Sequence, residues 1–231
     1  FAYASEPSDN ILRINKPAKA YNKDTNHSLQ KTNKDGEVTC TLNCPQPYQI
    51  DDTTYPAHIH FTIEDKHSNI WTNTKTVECI SKVSLSELTD ILHNKTAIVI
   101  FTMPESYFKD DHIPDSLNLP RESLDGKTKR QKETIFDDFF TEHLSEYPAI
   151  QKELKSLGKK NIPIITYCMN RNCNSSHRFI THARYCGYNN IREFSEGLQG
   201  WRQQVSDADT EGYASAKKKK KRTYDDDDDG N

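Results

Sequence analysis

An apolar run leads directly into a polar loop with two cysteines in the segment IPIITYCMNRNCNSSHRF, Ile162–Phe179. The run Ile162–Tyr167 has the uninterrupted apolar character of a strand that is buried on both faces of a parallel sheet. After the loop, the sequence predicts a helix from Ser176 to Cys186, which stops before Gly187. A strand, a loop and a helix in this order are typical of an α/β fold.

The alternation of strands and helices continues on the N-terminal side of this segment. SLSELTDILHN begins with a candidate N-cap, Ser84, has a Glu three residues later, and carries apolar residues at helical spacing. The run AIVIF, Ala97–Phe101, predicts a second buried strand. The remaining predicted elements are a helical segment interrupted by a proline and a third strand (Thr134–Leu157 with Pro148, Ile191–Phe194). Together these elements predict an α/β domain over residues 81–206.

The two ends of the chain have a different character. Residues 1–35 carry few apolar positions and no sustained period, so we expect a flexible arm. Residues 36–80 predict a small antiparallel β subdomain, because apolar and polar residues alternate in Thr54–Glu64 and strand-like segments flank it on both sides (Glu37–Leu42 and Trp71–Cys79). Residues 207–231 hold a basic run followed by an acidic run (Lys217–Arg222, Asp225–Asp229), which predicts a charged, flexible tail.

The position of Cys168 makes it the candidate nucleophile. In open α/β sheets, functional sites lie beyond the C-terminal ends of the strands, where loops turn toward helix N-termini. The helix dipole and unpaired amides there favour an anion, so we expect a lowered pKa for the Cys168 thiol. His177 adds potential positive charge, and seven further residues of the loop are candidate anion-binding or substrate-binding groups (Arg171, Asn172, Cys173, Asn174, Ser175, Ser176, Arg178).

Four motifs in this region resemble rhodanese-like domains. HIPDSLNLP, His112–Pro120, is similar to the HIPGAINIP segment of that family, and YC, CGY and EGLQGW follow in the family's order. The resemblance implies a five-stranded parallel sheet with helices on both faces. It also implies a sulfurtransferase that needs no cofactor: the Cys168 thiolate takes sulfane sulfur from a small anionic donor such as thiosulfate. The resulting persulfide then passes its outer sulfur to a thiol or cyanide-like acceptor.

Departures from the family pattern leave two alternatives open. The loop after Cys168 is longer than usual and has no glycine, and Phe101-Thr102-Met103 stands where an Asp and an Arg are common. The alternatives are a catalytically quiet module of the same fold that binds a protein partner, and a thiol redox sensor that uses Cys168 and Cys173. A phosphatase needs an Arg six positions after its Cys. Asn174 and Phe179 occupy those positions after Cys168 and Cys173, which argues against a phosphatase.

The predicted β subdomain carries candidate metal ligands. His58 and His60 lie two apart on a strand, so their side chains point to the same face. With Cys40 and Cys44 they could form a structural zinc site, because imidazole and thiolate are the preferred ligands of zinc. The alternatives are a disulfide from Cys44 or Cys79 to Cys40, and histidines on the wetter face of an amphipathic strand.

Composition limits the classes of partner and compartment. The formal net charge is −3 over 231 residues, which gives no strong bias toward nucleic acid or anionic membranes. No apolar run approaches the roughly 18 residues that span a membrane, and the first residues do not resemble a secretion signal. Six cysteines are few for a disulfide-built fold of this length. We therefore expect an intracellular, reducing compartment, with the cytoplasm as the first choice.

Overall fold

The structure is a computed structural model that describes residues 1–8, 10–65 and 70–207. Its N-terminal part contains eight short strands: Ala2–Ala4 (β1), His27–Ser28 (β2), Tyr48–Ile50 (β3), Thr53–Tyr55 (β4), His58–Phe61 (β5), Glu64–Asp65 (β6), Ile70–Trp71 (β7) and Lys75–Glu78 (β8). Four of them form an antiparallel sheet in the order β2–β1–β5–β8, and the others form two two-stranded hairpins, β3–β4 and β6–β7. One short helix, Pro17–Ala20 (α1), lies between β1 and β2. The antiparallel β region predicted before the α/β domain is therefore present.

The expectation that residues 1–35 form an arm outside this region is wrong. β1 pairs with both β2 and β5, so the first residues of the chain occupy the interior of the sheet. Glu6 is buried, and its carboxylate accepts hydrogen bonds from the amides of Thr25 and Asn26 at 2.7 and 3.1 Å. Polar side chains that satisfy backbone groups hold this segment in place, and a count of apolar residues does not detect them.

Two of the predicted N-terminal strands differ from the observed ones. No strand forms over the predicted Glu37–Leu42. The alternating segment Thr54–Glu64 is not one strand: it contains the end of β4, all of β5 and the start of β6, and Pro56 lies between β4 and β5. Burial also departs from the predicted faces, since Tyr55 and Ile63 are exposed while His58 is buried. Proline removes a ladder donor, which explains why one continuous strand does not form.

The α/β domain is built on a parallel sheet in the order β10–β9–β11–β12. Its strands are Ile98–Phe101 (β9), Leu117–Asn118 (β10), Ile164–Tyr167 (β11) and Ile191–Glu193 (β12), which include the three predicted ones. Within the part of the chain that the structure describes, this sheet has four strands where the family resemblance implied five. The fifth position is an isolated parallel bridge from Lys82 to Glu193 beside β12.

Helices cover both faces of this sheet. They are Leu85–Asn94 (α2), Glu105–Asp110 (α3), Lys129–His143 (α4), Pro148–Leu157 (α5), Ser175–Tyr185 (α6) and Gly197–Asp207 (α7). The predicted capping box forms at α2, where the Ser84 hydroxyl accepts from the Glu87 amide and the Glu87 carboxylate accepts from the Ser84 amide. Pro148 divides the predicted long helix because it occupies the first turn of α5, where its missing N–H is not needed.

Alternate residues of the central strands pack into two separate cores. Ile98, Ile100 and Ile164 join a core with residues of α4, α5 and α6, including Phe136 and Phe179. Val99, Phe101, Ile165 and Tyr167 join a second core with residues of α2 and α7. Both faces of the strands are thus covered, as their uninterrupted apolar sequences predict. The loop after β11 leaves the sheet between these two layers.

Side chains connect the β region to the α/β domain. The Thr54 hydroxyl donates to Asn161 Oδ1 at 2.7 Å, and the side-chain Nδ2 of Asn189 donates to the Thr54 carbonyl at 2.6 Å. The Ser81 hydroxyl donates to the Pro45 carbonyl at 2.7 Å. Within the described residues, none of the helices combines the length and the apolar character that a bilayer crossing requires. The predicted charged tail lies outside the described residues beyond Asp207.

Candidate active site

Cys168 directly follows the last residue of β11, at the C-terminal edge of the parallel sheet. β11 lies between β9 and β12, so loops from three neighbouring strands meet there. The thiol is 3 % exposed. The structure therefore places the predicted nucleophile at the strand end where functional groups gather in this fold class, but beneath the surface.

Backbone carbonyls surround the sulfur of Cys168. The Cys168 thiol lies within donor distance of the Cys173 carbonyl, with Sγ···O at 3.3 Å, and of the Asn170 carbonyl, at 3.6 Å. The Ser176 hydroxyl lies 3.8 Å from the sulfur, and the Ser176 amide also donates toward it. Carbonyl acceptors stabilise the protonated thiol, whereas the two donors of Ser176 favour a thiolate.

The pKa of the Cys168 thiol is raised to about 11: burial is the largest cause and Cys173 also raises the pKa, while the donors of Ser176 lower it. The expected lowering of this pKa is therefore wrong. A helix start near the sulfur does not outweigh the removal of the sulfur from water. Cys168 is a protonated thiol at neutral pH in the unliganded protein.

The start of α7 fixes the position of the loop. The amide of Leu198 donates to the Cys168 carbonyl and the amide of Gln199 donates to the Met169 carbonyl, both at 2.9 Å. Gly197 has a φ of +64°, and a Cβ built on it would lie 2.5 Å from the Cys168 oxygen. Only glycine allows this approach. Sequence reasoning quoted Gly197 within EGLQGW but gave it no role.

Cys173 lies beside Cys168 in the folded loop. Its amide donates to the Asn170 carbonyl at 3.1 Å, which closes a turn that returns the chain to the sulfur of Cys168. The Cys173 side chain is close enough to raise the pKa of the Cys168 thiol. The Cys173 sulfur also lies 3.7 Å from the Met103 sulfur. The predicted pair of neighbouring thiols is thus formed.

Both arginines proposed as anion-binding groups lie against carboxylates. Arg171 Nη2 lies 2.7 Å from Glu196 Oε1. Arg178 Nη2 lies 4.0 Å from Asp125 Oδ1, the same oxygen that lies 2.9 Å from His182 Nε2. The positive charge that the sequence placed around Cys168 is therefore largely matched by negative charge, and Arg178 belongs to the Asp125 cluster.

The remaining predicted loop residues have structural contacts. The Asn172 amide donates to Asn170 Oδ1 at 3.0 Å, and Asn174 is the N-cap residue of α6 but makes no side-chain capping bond. The Ser175 hydroxyl donates to the Thr102 carbonyl at 2.9 Å, which joins α6 to the end of β9. The Ser176 hydroxyl donates to Glu193 Oε1. Of this set, Ser176 is the residue that contacts the sulfur of Cys168.

A cleft of about 330 Å³ opens beside Cys173, and the buried Cys168 does not line it. It is lined by Lys82, Arg171, Cys173, His177, Glu193, Ser195 and Glu196. Sequence reasoning missed Lys82, Glu193 and Ser195 of this cleft. Glu193 lies in the short strand β12 and belongs to no recognised motif. Its carboxylate is buried, yet it contacts both the Ser176 hydroxyl and, at 3.6 Å, His177 Nδ1.

The structure does not assemble the predicted zinc ligands. Within the described residues, no three His, Cys, Asp or Glu side chains form a group that could hold a metal ion. His58 and His60 do meet, with Nε2 atoms 3.1 Å apart, and the Tyr48 hydroxyl lies 3.0 Å from His58 Nε2. Cys40 and Cys44 do not join them, and all six cysteines are free thiols, so the alternative disulfide is not formed either.

Comparisons with known proteins identify a family and a set of similar folds. The sequence model of the Rhodanese-like domain matches residues 84–204, which is more than half of the chain. No curated protein sequence matches the chain. Among solved structures, a human single-domain sulfurtransferase is 19 % identical, with 54 % of this chain and 97 % of that chain covered and a TM-score of 0.39. SseA from Escherichia coli, described as a 3-mercaptopyruvate sulfotransferase, is 18 % identical, with 51 % and 42 % covered and a TM-score of 0.36.

Proposed function

This chain belongs to the rhodanese-like domain family, and on that premise we propose that it is a sulfurtransferase-type protein that carries sulfane sulfur on Cys168. One observation carries the proposal: Cys168 directly follows the central strand β11, and Cys173 of the same loop lines a cleft of small-molecule size. A thiol at the end of that strand can act as a nucleophile once a donor in the cleft reaches it.

The proposed reaction has two displacement steps. The Cys168 thiol first loses its proton, and the thiolate attacks the outer sulfur of the donor, so that a new S–S bond forms as the donor's bond breaks and its remainder leaves with the electron pair. The amide of Ser176 then donates toward the charged sulfur. A thiol or cyanide-like acceptor attacks the outer sulfur of the persulfide and releases the Cys168 thiolate, which regains a proton.

The raised pKa of Cys168 sets the expected rate of this reaction. With a pKa of about 11, roughly one thiol in ten thousand is ionised at pH 7 before a substrate enters. Turnover with a donor that brings no stabilising charge should therefore be slow at neutral pH. It should rise as the pH rises.

The test is to incubate the protein with thiosulfate or with a low-molecular-weight persulfide, and then map its cysteine peptides by mass. We expect a gain of one sulfur atom on the Cys168 peptide, absent in Cys168→Ser and retained in Cys186→Ser, which removes a thiol from the core and leaves the loop intact. No sulfur adduct with any donor would refute the function. That result would favour the quiet module that binds a protein partner.

A second function is favoured by the contact between the two loop thiols. The Cys168 thiol donates to the Cys173 carbonyl at 3.3 Å, and the Cys173 side chain raises the pKa of Cys168. Peroxide could oxidise one thiol to a sulfenic acid with release of water, and the other thiol could then displace a second water to form a disulfide. Non-reducing peptide mapping after mild peroxide treatment tests this reaction. A reversible bond between these two residues supports a redox sensor, and free thiols exclude it.

A further inference from the structure

The charged residues of the cleft differ in how far water screens them. Lys82, Arg171 and His177 are exposed, Glu196 is half-buried, and Glu193 is buried with 4 % of its surface accessible. Salt and water screen exposed charges over about 10 Å, whereas buried charges are screened much less. The carboxylate of Glu193 therefore dominates the electrostatic field at the inner end of the cleft.

The described residues do not place a permanent cation against Glu193. Arg171 is held by Glu196 at 2.7 Å, and the ion-pair partner of Glu193 is His177, whose Nδ1 lies 3.6 Å away and which carries charge only when protonated. Ser176 donates a neutral hydroxyl hydrogen to Glu193 Oε1. A buried carboxylate costs free energy unless a charge or several hydrogen bonds compensate it. A positively charged ligand would therefore compensate the buried negative charge of Glu193.

Glu193 is also close to the reacting sulfur. The Ser176 hydroxyl donates to Glu193 Oε1 and lies 3.8 Å from the Cys168 sulfur, so a single hydroxyl separates the carboxylate from the thiol. A ligand cation bound to Glu193 from the cleft would therefore be separated from the Cys168 sulfur by the Ser176 hydroxyl.

We propose that this cleft selects a sulfur compound that carries a positively charged nitrogen, with Glu193 as the group that binds the nitrogen. This choice of substrate rests on the sulfurtransferase function proposed above, and it replaces the small anionic donor that the sequence predicts. Thiosulfate would bring two negative charges toward a buried carboxylate. A cationic ligand neutralises that carboxylate and stabilises the thiolate beside it, which lowers the cost of ionising Cys168.

Two methanethiosulfonate reagents of opposite charge test the selection. One carries a permanently charged trimethylammonium ethyl group and the other a sulfonatoethyl group. In each case the thiolate attacks the reagent's sulfenyl sulfur, a mixed disulfide forms and methanesulfinate leaves. The rates at each cysteine are followed at pH 8 by peptide mass. The exposed Cys44 serves as the reference thiol in the same sample.

We expect the ratio of cationic to anionic rates at Cys168 to exceed the ratio at Cys44 by about tenfold or more, the size expected for a charge interaction over several ångströms at the edge of a protein. In Glu193→Gln the two ratios should become equal. The matched control Glu142→Gln removes an exposed carboxylate of α4 that does not line the cleft, and it should keep the wild-type ratio.

Equal ratios at Cys168 and Cys44 in the wild-type protein would overturn the proposal, and so would an unchanged ratio in Glu193→Gln. Failure of both reagents to modify Cys168 would also overturn it, because a charged substrate could then not reach the sulfur. The wild-type comparison needs no variant, so misfolding of Glu193→Gln would not remove the test. Neither reagent transfers sulfane sulfur. The selection can therefore hold or fail separately from the sulfurtransferase function.

Discussion

Replacing Gly197 by alanine tests whether the start of α7 fixes the loop that carries Cys168. A Cβ at this position would lie 2.5, 2.7 and 2.8 Å from the Cys168 oxygen, the Asn170 nitrogen and the Met169 carbonyl carbon. Ordinary contacts of a Cβ begin near 3.4 Å. The loop backbone would therefore have to move by about 0.9 Å, the difference between 3.4 and 2.5 Å.

The cost of the Gly197→Ala change has two parts. A left-handed φ in a residue with a Cβ costs about 1–2 kcal/mol. The displacement would also stretch the bonds from the Leu198 and Gln199 amides to the loop carbonyls, now 2.9 Å each, beyond hydrogen-bonding distance. Each lost bond costs about 1 kcal/mol. We expect a total loss of about 3–4 kcal/mol in the free energy of unfolding.

Gly187→Ala is the matched control, because Gly187 has a φ of +89° and no atom within 4 Å of a built Cβ. It should lose only the backbone part, about 1–2 kcal/mol. Urea unfolding followed by tryptophan fluorescence measures both variants. A difference near 2 kcal/mol between them supports the role of Gly197 in positioning the loop. Equal losses would refute it, since the crowding of the Cys168 backbone would then have no energetic consequence.

Three further predictions concern ionisation and helix capping. Because the pKa of Cys168 is raised, its alkylation rate should climb about tenfold per pH unit between pH 7 and 10, and a plateau below pH 8 would contradict this. Ser84→Ala should cost about 1 kcal/mol in urea unfolding, whereas Ser86→Ala, which keeps both capping bonds, should cost little. The hydrogen bond from His182 lowers the pKa of Asp125. The stability that the ionised Asp125 side chain adds to the fold is therefore complete above the unfolded-state pKa, and it is lost as the pH falls through the folded-state pKa. Asp125→Asn should therefore flatten the acid side of the stability profile, and an unchanged profile would exclude this role.

The sequence predicts the parallel sheet and the position of Cys168 at its edge because both depend on local patterns. The strands at Ile98–Phe101 and Ile164–Tyr167 read as uninterrupted apolar runs, and that character arises because helices cover both faces of the sheet. The capping box at Ser84 is likewise written in four consecutive residues. Cys168 follows such a run directly, so its position at the edge of the sheet required no knowledge of distant residues.

The features that sequence reasoning missed depend on contacts between distant parts of the chain. Glu193 reaches the site because β12 lies next to β11, and nothing in its own neighbours marks it as part of a cleft. The first strand, Ala2–Ala4, is held by β5, which begins more than 50 residues later. The raised pKa of Cys168 follows from burial and from the neighbouring Cys173 side chain. Neither property is encoded in the spacing of the two cysteines.

The backbone of the loop explains why the thiol lacks the environment that an anion needs. A concave site of amides requires residues that alternate between right- and left-handed conformations, and glycine most readily supplies the left-handed one. From Cys168 to Ser176 the loop has no glycine and no residue with a positive φ. Its carbonyls from Asn170 and Cys173 therefore turn toward the sulfur, which the Ser176 amide also approaches as a donor. Since this loop stabilises the neutral thiol, the positive charge that favours a thiolate must come from elsewhere. Of the groups beside Cys168, the buried carboxylate of Glu193 is the one able to recruit that charge on a substrate.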